Sequence, residues 1–151
     1  MGYRSDVYAA IEFVDEATCD AWIVAAKLRS EPRMWQSMFG HGERSDDGSI
    51  VVIAHEDVKW YDDYDDVKFF NDTLEWTYEH FDCAYRTLRI GEEVDDIVDD
   101  YNIQKSPSWN DSLWEVLELE RSVHYGYAMT RPINPIEDKE PETTPTELTN
   151  G

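Results

Sequence analysis

Positive charge is what this chain has least of. Lys and Arg number 13 against 34 Asp and Glu, for a formal net charge of −21. Residues 132–151 hold five acids and one Lys, which leaves −17 on residues 1–131. Charge of this size favours solubility and opposes compaction through self-repulsion. Nucleic acid and anionic membrane both call for a positive surface. Direct binding to either is therefore excluded, and the expected partner is a protein with a basic surface.

Long apolar runs are also missing. None approaches the ~20 residues of a membrane span, and MGYRSDVYAA has no apolar stretch of the signal-peptide kind. Gly2 follows Met1, but Asp6 stands where a myristoylation signal has Ser or Thr. The expectation is a soluble, cytoplasmic protein. Cysteine is down to two residues, Cys19 and Cys83. Two free, buried thiols are the simplest reading of such a pair. No Gly-x-Gly-x-x-Gly or phosphate-loop pattern occurs, and Ser, Cys and His form no nucleophile motif. His55-x-Asp57 and His80-x-Asp82 lack zinc-site spacing. Asp62 to Asp66 lacks the glycine of a calcium loop, and Val67 stands where another oxygen ligand should follow. We expect no cofactor, no specific metal site and no catalytic constellation.

What the chain does have is a core. Apolar residues make up 41% and aromatics 13% of it, enough to fold one domain of ordinary size. The architectural centre is 49–81: a buried strand, an acidic-aromatic turn and an amphipathic helix. Before it, 5–14 alternates, with Val7, Ala9, Ile11 and Phe13 on one face and Tyr8, Ala10 and Glu12 on the other. Asp15 or Thr18 then caps a helix over 16–29, whose Cys19, Trp22, Ile23 and Ala26 recur at helical spacing. Pro32 ends it. Residues 33–48 read as a loop with three glycines. Its Met34, Trp35, Met38 and Phe39 are either a flap over the core's edge or an exposed patch for a partner.

The unbroken apolar run 50–54 reads as a central strand buried on both faces. Val67, Phe70, Leu74, Tyr78 and Phe81 give the helix over 65–81 its apolar stripe. A third strand covers 83–90. In 92–101, Val94, Ile97, Val98 and Tyr101 have a helical period, but six acids and no base make a poor helix. Residues 113–128 alternate and read as one or two strands, with Gly126 a bulge. The order predicts an α+β, ferredoxin-like sandwich: a mainly antiparallel sheet of four to five strands with two helices on one face. It occupies 1–131. Four prolines, five acids and several Thr mark 132–151 as a disordered tail.

Three stretches carry a resemblance. They are Met1-Gly2-Tyr3-Arg4-Ser5-Asp6-Val7, then Val58-Lys59-Trp60-Tyr61-Asp62-Asp63-Tyr64-Asp65-Asp66-Val67, then Arg89-Ile90-Gly91-Glu92 followed by Asp95-Asp96-Ile97. In this order they resemble a family of small, mostly uncharacterised proteins of bacteriophage and bacterial genomes. The resemblance spans residues 1–100. It implies a single small α+β domain, a phage or prophage setting and hence the cytoplasm of a bacterial host, and it supplies no catalytic residues.

The candidate contact surface is the two acid clusters: Asp62, Asp63, Asp65 and Asp66, and Glu92, Glu93, Asp95, Asp96, Asp99 and Asp100. A surface kept only for solubility would mix signs. Strand direction alone does not decide whether the clusters share an end of the domain. The expected function is non-enzymatic: binding and inhibiting a host protein, of a defence or nucleic-acid-binding kind, through an acidic surface that imitates DNA. A competing class is an interaction module anchored by Trp35, Phe39, Trp60, Tyr61 and Trp109. A third is a small enzyme, marked by a deep pocket of convergent acids and His.

Overall fold

The structure is a computed structural model, and it describes residues 2–105, 110–119 and 123–133. Trp109 and nearly all of the predicted tail lie outside the described residues. The elements in chain order are β1 (Ser5–Phe13), α1 (Glu16–Arg29), α2 (Pro32–Met38), β2 (Glu43–Ser45), β3 (Ile50–Val58) and α3 (Asp65–His80). They continue with β4 (Cys83–Gly91), β5 (Ile97–Asn102), α4 (Asn110–Val116), β6 (Leu117–Leu119), β7 (Val123–Tyr125) and β8 (Met129–Pro132). One antiparallel sheet has six strands in the order β5-β4-β1-β3-β2-β8, and β6 and β7 form a separate two-stranded hairpin. The sheet is larger than the four to five strands expected. β2, β5 and β8 are the strands not anticipated, while the strands expected in 113–128 pair apart from this sheet; β2, with three residues, is too short to show a period of two.

β1 is the centre, paired with β3 on one side and β4 on the other. Its alternation works as the sequence predicts. Ala9, Ile11 and Phe13 enter one core with Val51, Ile53, Cys83 and Tyr85. Tyr8 and Ala10 enter a second with Ile50, Val52, Ala84 and Leu88. Helices α1, α2 and α3 cover the first face, and α4 with β6 and β7 covers the second. The molecule therefore has three layers. Stacking helices on one face alone was too simple: of residues 113–128, read as one or two strands, 117–119 and 123–125 are the strands β6 and β7, but Leu113 and Val116 lie on α4 and are fully buried against the second face.

Local chemistry explains the element ends. Asp15 caps α1, accepting the Thr18 N–H at 2.8 Å and its hydroxyl at 2.6 Å. Trp22 on α1 donates its indole N–H to Thr77 Oγ1 of α3 at 2.8 Å, tying the two helices over the sheet. Residues 33–38, expected in a loop, are helical, and Phe39 caps the helix. Pro32 occupies the first turn, where its missing N–H costs nothing, and Glu31 caps it by accepting the Met34 N–H at 2.8 Å. Trp35 and Phe39 are 2% and 0% exposed. Phe39 stacks on Trp35 at 5.3 Å and on Phe70 at 5.0 Å. Neither belongs to a partner patch, since burying two such rings contributes several kcal/mol to the core.

Residues 97–102 form a strand and not a helix. The helical period of their apolar residues is overruled by pairing with β4, which supplies the bases the segment lacks. Cys19 and Cys83 are both free and fully buried, and burial pushes each thiol up to about 12. Among the described residues no helix is long and apolar enough to cross a membrane.

Candidate functional site: the acidic end of the sheet

The first acid cluster and Glu92, Glu93, Asp95 and Asp96 of the second lie at the same end of the sheet, while Asp99 and Asp100 lie further along β5, opposite Leu88 and Thr87. The turn after β3 carries the first. Trp60 stacks on His55 at 5.8 Å and meets Phe70 edge-on at 5.1 Å. His55 is fixed in turn against the Met38 carbonyl at 2.9 Å. Tyr61 packs on Tyr64 at 5.0 Å, and its hydroxyl accepts the Tyr3 N–H at 2.8 Å. Trp60 and Tyr61 thus seat the turn rather than project from it. Asp62, Asp63 and Asp65 are exposed, and Asp66 is half-buried. Asp65 and Asp66 occupy the first turn of α3, where the helix dipole favours acids.

The hairpin between β4 and β5 carries the second cluster. Gly91 donates to the Asp96 carbonyl at 2.8 Å and Asp96 donates to the Glu93 carbonyl at 3.0 Å, closing the turn. A side chain at Gly91 would displace the Asp96 carboxylate and the Tyr3 hydroxyl, so glycine leaves room for their bond. Arg89 grips Asp96 with both guanidinium ends, at 2.8 and 3.1 Å, and also donates to Ser5 Oγ at 3.1 Å. The Tyr3 hydroxyl donates to Asp96 Oδ2 at 2.7 Å and accepts the Glu93 N–H at 3.1 Å. The Arg89 guanidinium, helped by Tyr3, holds the Asp96 carboxyl below its ordinary range. The Arg4 N–H donates to Glu92 at 2.7 Å, and its guanidinium reaches the Asp57 carbonyl at 2.8 Å.

The three stretches behind the family resemblance therefore meet. Residues 2–4 lie between the turn at 59–61 and the turn at 92–96, bonded to both. Beside this junction a cleft of about 140 Å³ opens between α3 and the sheet, and Trp60, Asp62, Asn71, Thr87, Arg89 and Asp100 line it. One residue of each acid cluster faces it. Asp63, Asp65 and Asp66 turn the other way, along a broad depression shared with Glu31, Arg33 and Met34 of the α2 region.

Two of the ten acids are not available to a partner. Asp96 is held by Arg89 and Tyr3. Asp99 lies on the opposite face, bidentate with Arg86 at 2.9 and 2.9 Å. Arg86 is 3% exposed, donates also to the Leu117 carbonyl at 2.9 Å and stacks 4.6 Å over Trp114. These residues fasten β5 and the second layer. Glu92, Glu93, Asp95 and Asp100 remain exposed. Among the described residues no group of three or more His, Cys, Asp or Glu is placed to hold a metal ion. His80, like His55, sits in an aromatic stack, against Trp76, and contacts its carbonyl at 2.9 Å.

A carboxylate passed over in the sequence is Glu12. It lies on β1 opposite Ile50 and Ala84 and faces the second layer. Its Oε1 is shut off from solvent with no hydrogen-bond partner. Burial, with Asp47 and Glu115 nearby, pushes it up to about 7 despite a bond to Ser112. The only sequence signal is an acid near the end of an otherwise largely apolar strand.

No family model matches this chain, and neither a curated protein nor a solved structure does.

Proposed function

We propose that this is a non-enzymatic binding protein of phage type, which captures and inhibits a host protein with a basic, nucleic-acid-binding surface. The observation that carries the reading is the anchoring of the two acidic turns, after β3 and after β4, at one end of the sheet, with Asp62 and Asp100 lining the same cleft. The contact acids are Asp62, Asp63, Asp65, Asp66, Glu92, Glu93, Asp95 and Asp100. Fixed turns hold the charges in place, so little ordering entropy is lost on binding. A dense negative field imitates nucleic acid without matching its phosphate spacing. The aromatic-anchor alternative loses Trp35 and Phe39 to the core and finds Trp60 and Tyr61 engaged within the turn.

The fold we read as ferredoxin-like. The segment β1-α1-β2-β3-α3-β4 with sheet order β4-β1-β3-β2 supports it, with β5 and β8 added at the two edges.

The test is capture from lysate of a bacterial host. One variant reverses Asp62, Asp63, Asp65 and Asp66 to Lys; a second reverses Glu92, Glu93, Asp95 and Asp100. Both leave Asp96 and Asp99 intact, and a thermal melt of each variant checks that the changes in the first turn of α3 and at Glu92 leave it folded. Each is expected to lose the partner, which nucleic acid should also displace, and binding should fall steeply with salt. Equal retention by wild type and both variants sinks the proposal.

A further inference from the structure

β5 is the last strand of the sheet, with β4 on one side and, among the described residues, no strand on the other. The Gly91 N–H to Asp96 carbonyl bond marks that pair as a hydrogen-bonded one. Alternation along an antiparallel ladder then fixes the rest. Val98, Asp100 and Asn102 turn their backbone groups toward β4, while Asp99 and Tyr101 turn theirs outward. Open edges are usually blunted by charges, Lys above all, by Pro or by a bulge; β5 has no Lys, Pro or bulge, and its only charges are Asp99 and Asp100. It shows apolar surface instead: Ile97 is 43% exposed, Val98 40% and Tyr101 53%, with Val94 at the hairpin tip 96%.

Charge decides the occupant. A second copy of this chain would set Asp100 and the hairpin acids against their own kind, on a body of net −17. A basic segment meets the opposite situation. Asp99 is already neutralised by Arg86, and Asp100 is exposed beside the two outward-facing backbone positions.

We infer that β5 takes an extended segment of alternating basic and apolar residues as an added strand, bonded to the outward N–H and C=O groups of Asp99 and Tyr101. This rests on the acidic-surface reading and gives it a mode. On the helix-covered face a basic side chain lies beside Asp100 and Val98. On the other face apolar side chains lie beside Ile97 and Tyr101, whose ring already packs on Trp114 at 5.2 Å. Backbone bonds supply affinity, and the alternation supplies selectivity.

The experiment titrates the full chain with a short synthetic peptide alternating Lys and Val, followed by residue-resolved amide exchange. In the complex, exchange at Asp99 and Tyr101 is expected to slow by about tenfold or more, with Val98 and Asp100 unchanged. The same peptide N-methylated along one edge should bind about tenfold more weakly or worse. Binding with no slowing at Asp99 and Tyr101, or equal binding of the N-methylated peptide, overturns strand addition and leaves the acidic-surface reading standing. Slow exchange at those two amides that appears only at high concentration of the chain alone overturns it in favour of self-pairing. If neither the peptide nor any host protein binds, both readings fall.

Discussion

Tyr3 and Asp96 are 93 residues apart in the chain and 2.7 Å apart in the fold. Around that contact lie Gly91, which leaves it room, Arg89, which neutralises the carboxylate, and Glu93, whose N–H returns to the same phenol. Tyr3 thus locks a hairpin that lies some 93 residues further along the chain. The locked hairpin is what presents Glu92, Glu93 and Asp95.

Tyr3→Phe keeps the ring and removes the bonds to Asp96 and Glu93. The urea midpoint should fall, and amide exchange should quicken selectively at residues 91–97. Asp96→Asn should do the same and more, since it also weakens the pair with Arg89, and the double variant should fall short of the sum of the singles, because the two residues share the Tyr3–Asp96 bond. Fully additive effects on the midpoint would separate the two residues and refute the lock.

Arg86 is the interior counterpart. Its guanidinium satisfies Asp99 twice and the Leu117 carbonyl once, over the Trp114 ring. Lysine cannot reproduce a planar fork. Arg86→Lys should cost about 1–3 kcal/mol, and Arg86→Ala more, because the packing over Trp114 and the bond to the buried Leu117 carbonyl go together with the ion pair. Chemical denaturation measures both. Costs near zero would mean that β5 and the second layer hold without this residue.

What was legible in the sequence follows from distance along the chain. The Cys19, Trp22, Ile23, Ala26 stripe and the alternation of β1 are local patterns, and each places its element and its buried face. The period of Val94, Ile97, Val98 and Tyr101 misleads, because Arg86 and Arg89, which make a strand of those acids, sit on the neighbouring strand. α2 hides for a different reason: seven residues are too few to show an amphipathic period, and the flanking glycines suggest a loop. At the candidate site the residue types were visible but their assembly was not. Nothing local brings Tyr3 to Tyr61 and Asp96, or shows that Asp96 and Asp99 are spent on ion pairs. Glu12 reads as a polar face residue until the second layer is seen to cover it.

Trp35 separates a core role from a binding role. Trp35→Ala should destabilise by about 3–5 kcal/mol by emptying the space between Trp22 and Phe39. Trp35→Phe should cost much less, because the indole N–H has no partner to lose. Thermal melts of both variants suffice. An alanine variant as stable as the wild type would return Trp35 to the surface.

Asp57 is in the left-handed region, with φ 57°, at the bulge where β3 slips against β1. Its N–H is held by Asp6 at 2.8 Å and its carbonyl by Arg4. Asp tolerates this conformation and glycine adopts it freely, whereas a β-branched residue pays about 1–2 kcal/mol. Asp57→Gly should melt close to the wild type and Asp57→Val well below it. Equal melts for the two would show that the bulge does not depend on this backbone conformation.

Glu12 gives the protein an inverted pH dependence. Its carboxyl is pushed up from 4.5 to about 7, chiefly by burial, with Asp47 and Glu115 adding repulsion. Between those values the folded chain keeps a proton that the unfolded chain has released. Stability therefore falls as pH rises through that window; the penalty is absent below it and complete above it. For a half-buried group the loss should be about 1–2 kcal/mol after allowing for solvent screening. Asp47 and Asp96 act with the opposite sign: hydrogen bonds and Arg89 lower them, so their contribution is lost only as pH falls below the ordinary aspartate range. The self-repulsion of the acidic surface also weakens the fold as pH rises, so wild type alone does not isolate Glu12. Glu12→Gln does, since it keeps the shape and the bond to Ser112 but cannot ionise. Urea midpoints measured at pH 5 and pH 8 should converge for the two proteins at the lower value and separate in favour of Gln at the higher. Parallel curves would place the pH dependence elsewhere and leave Glu12 an ordinary surface acid.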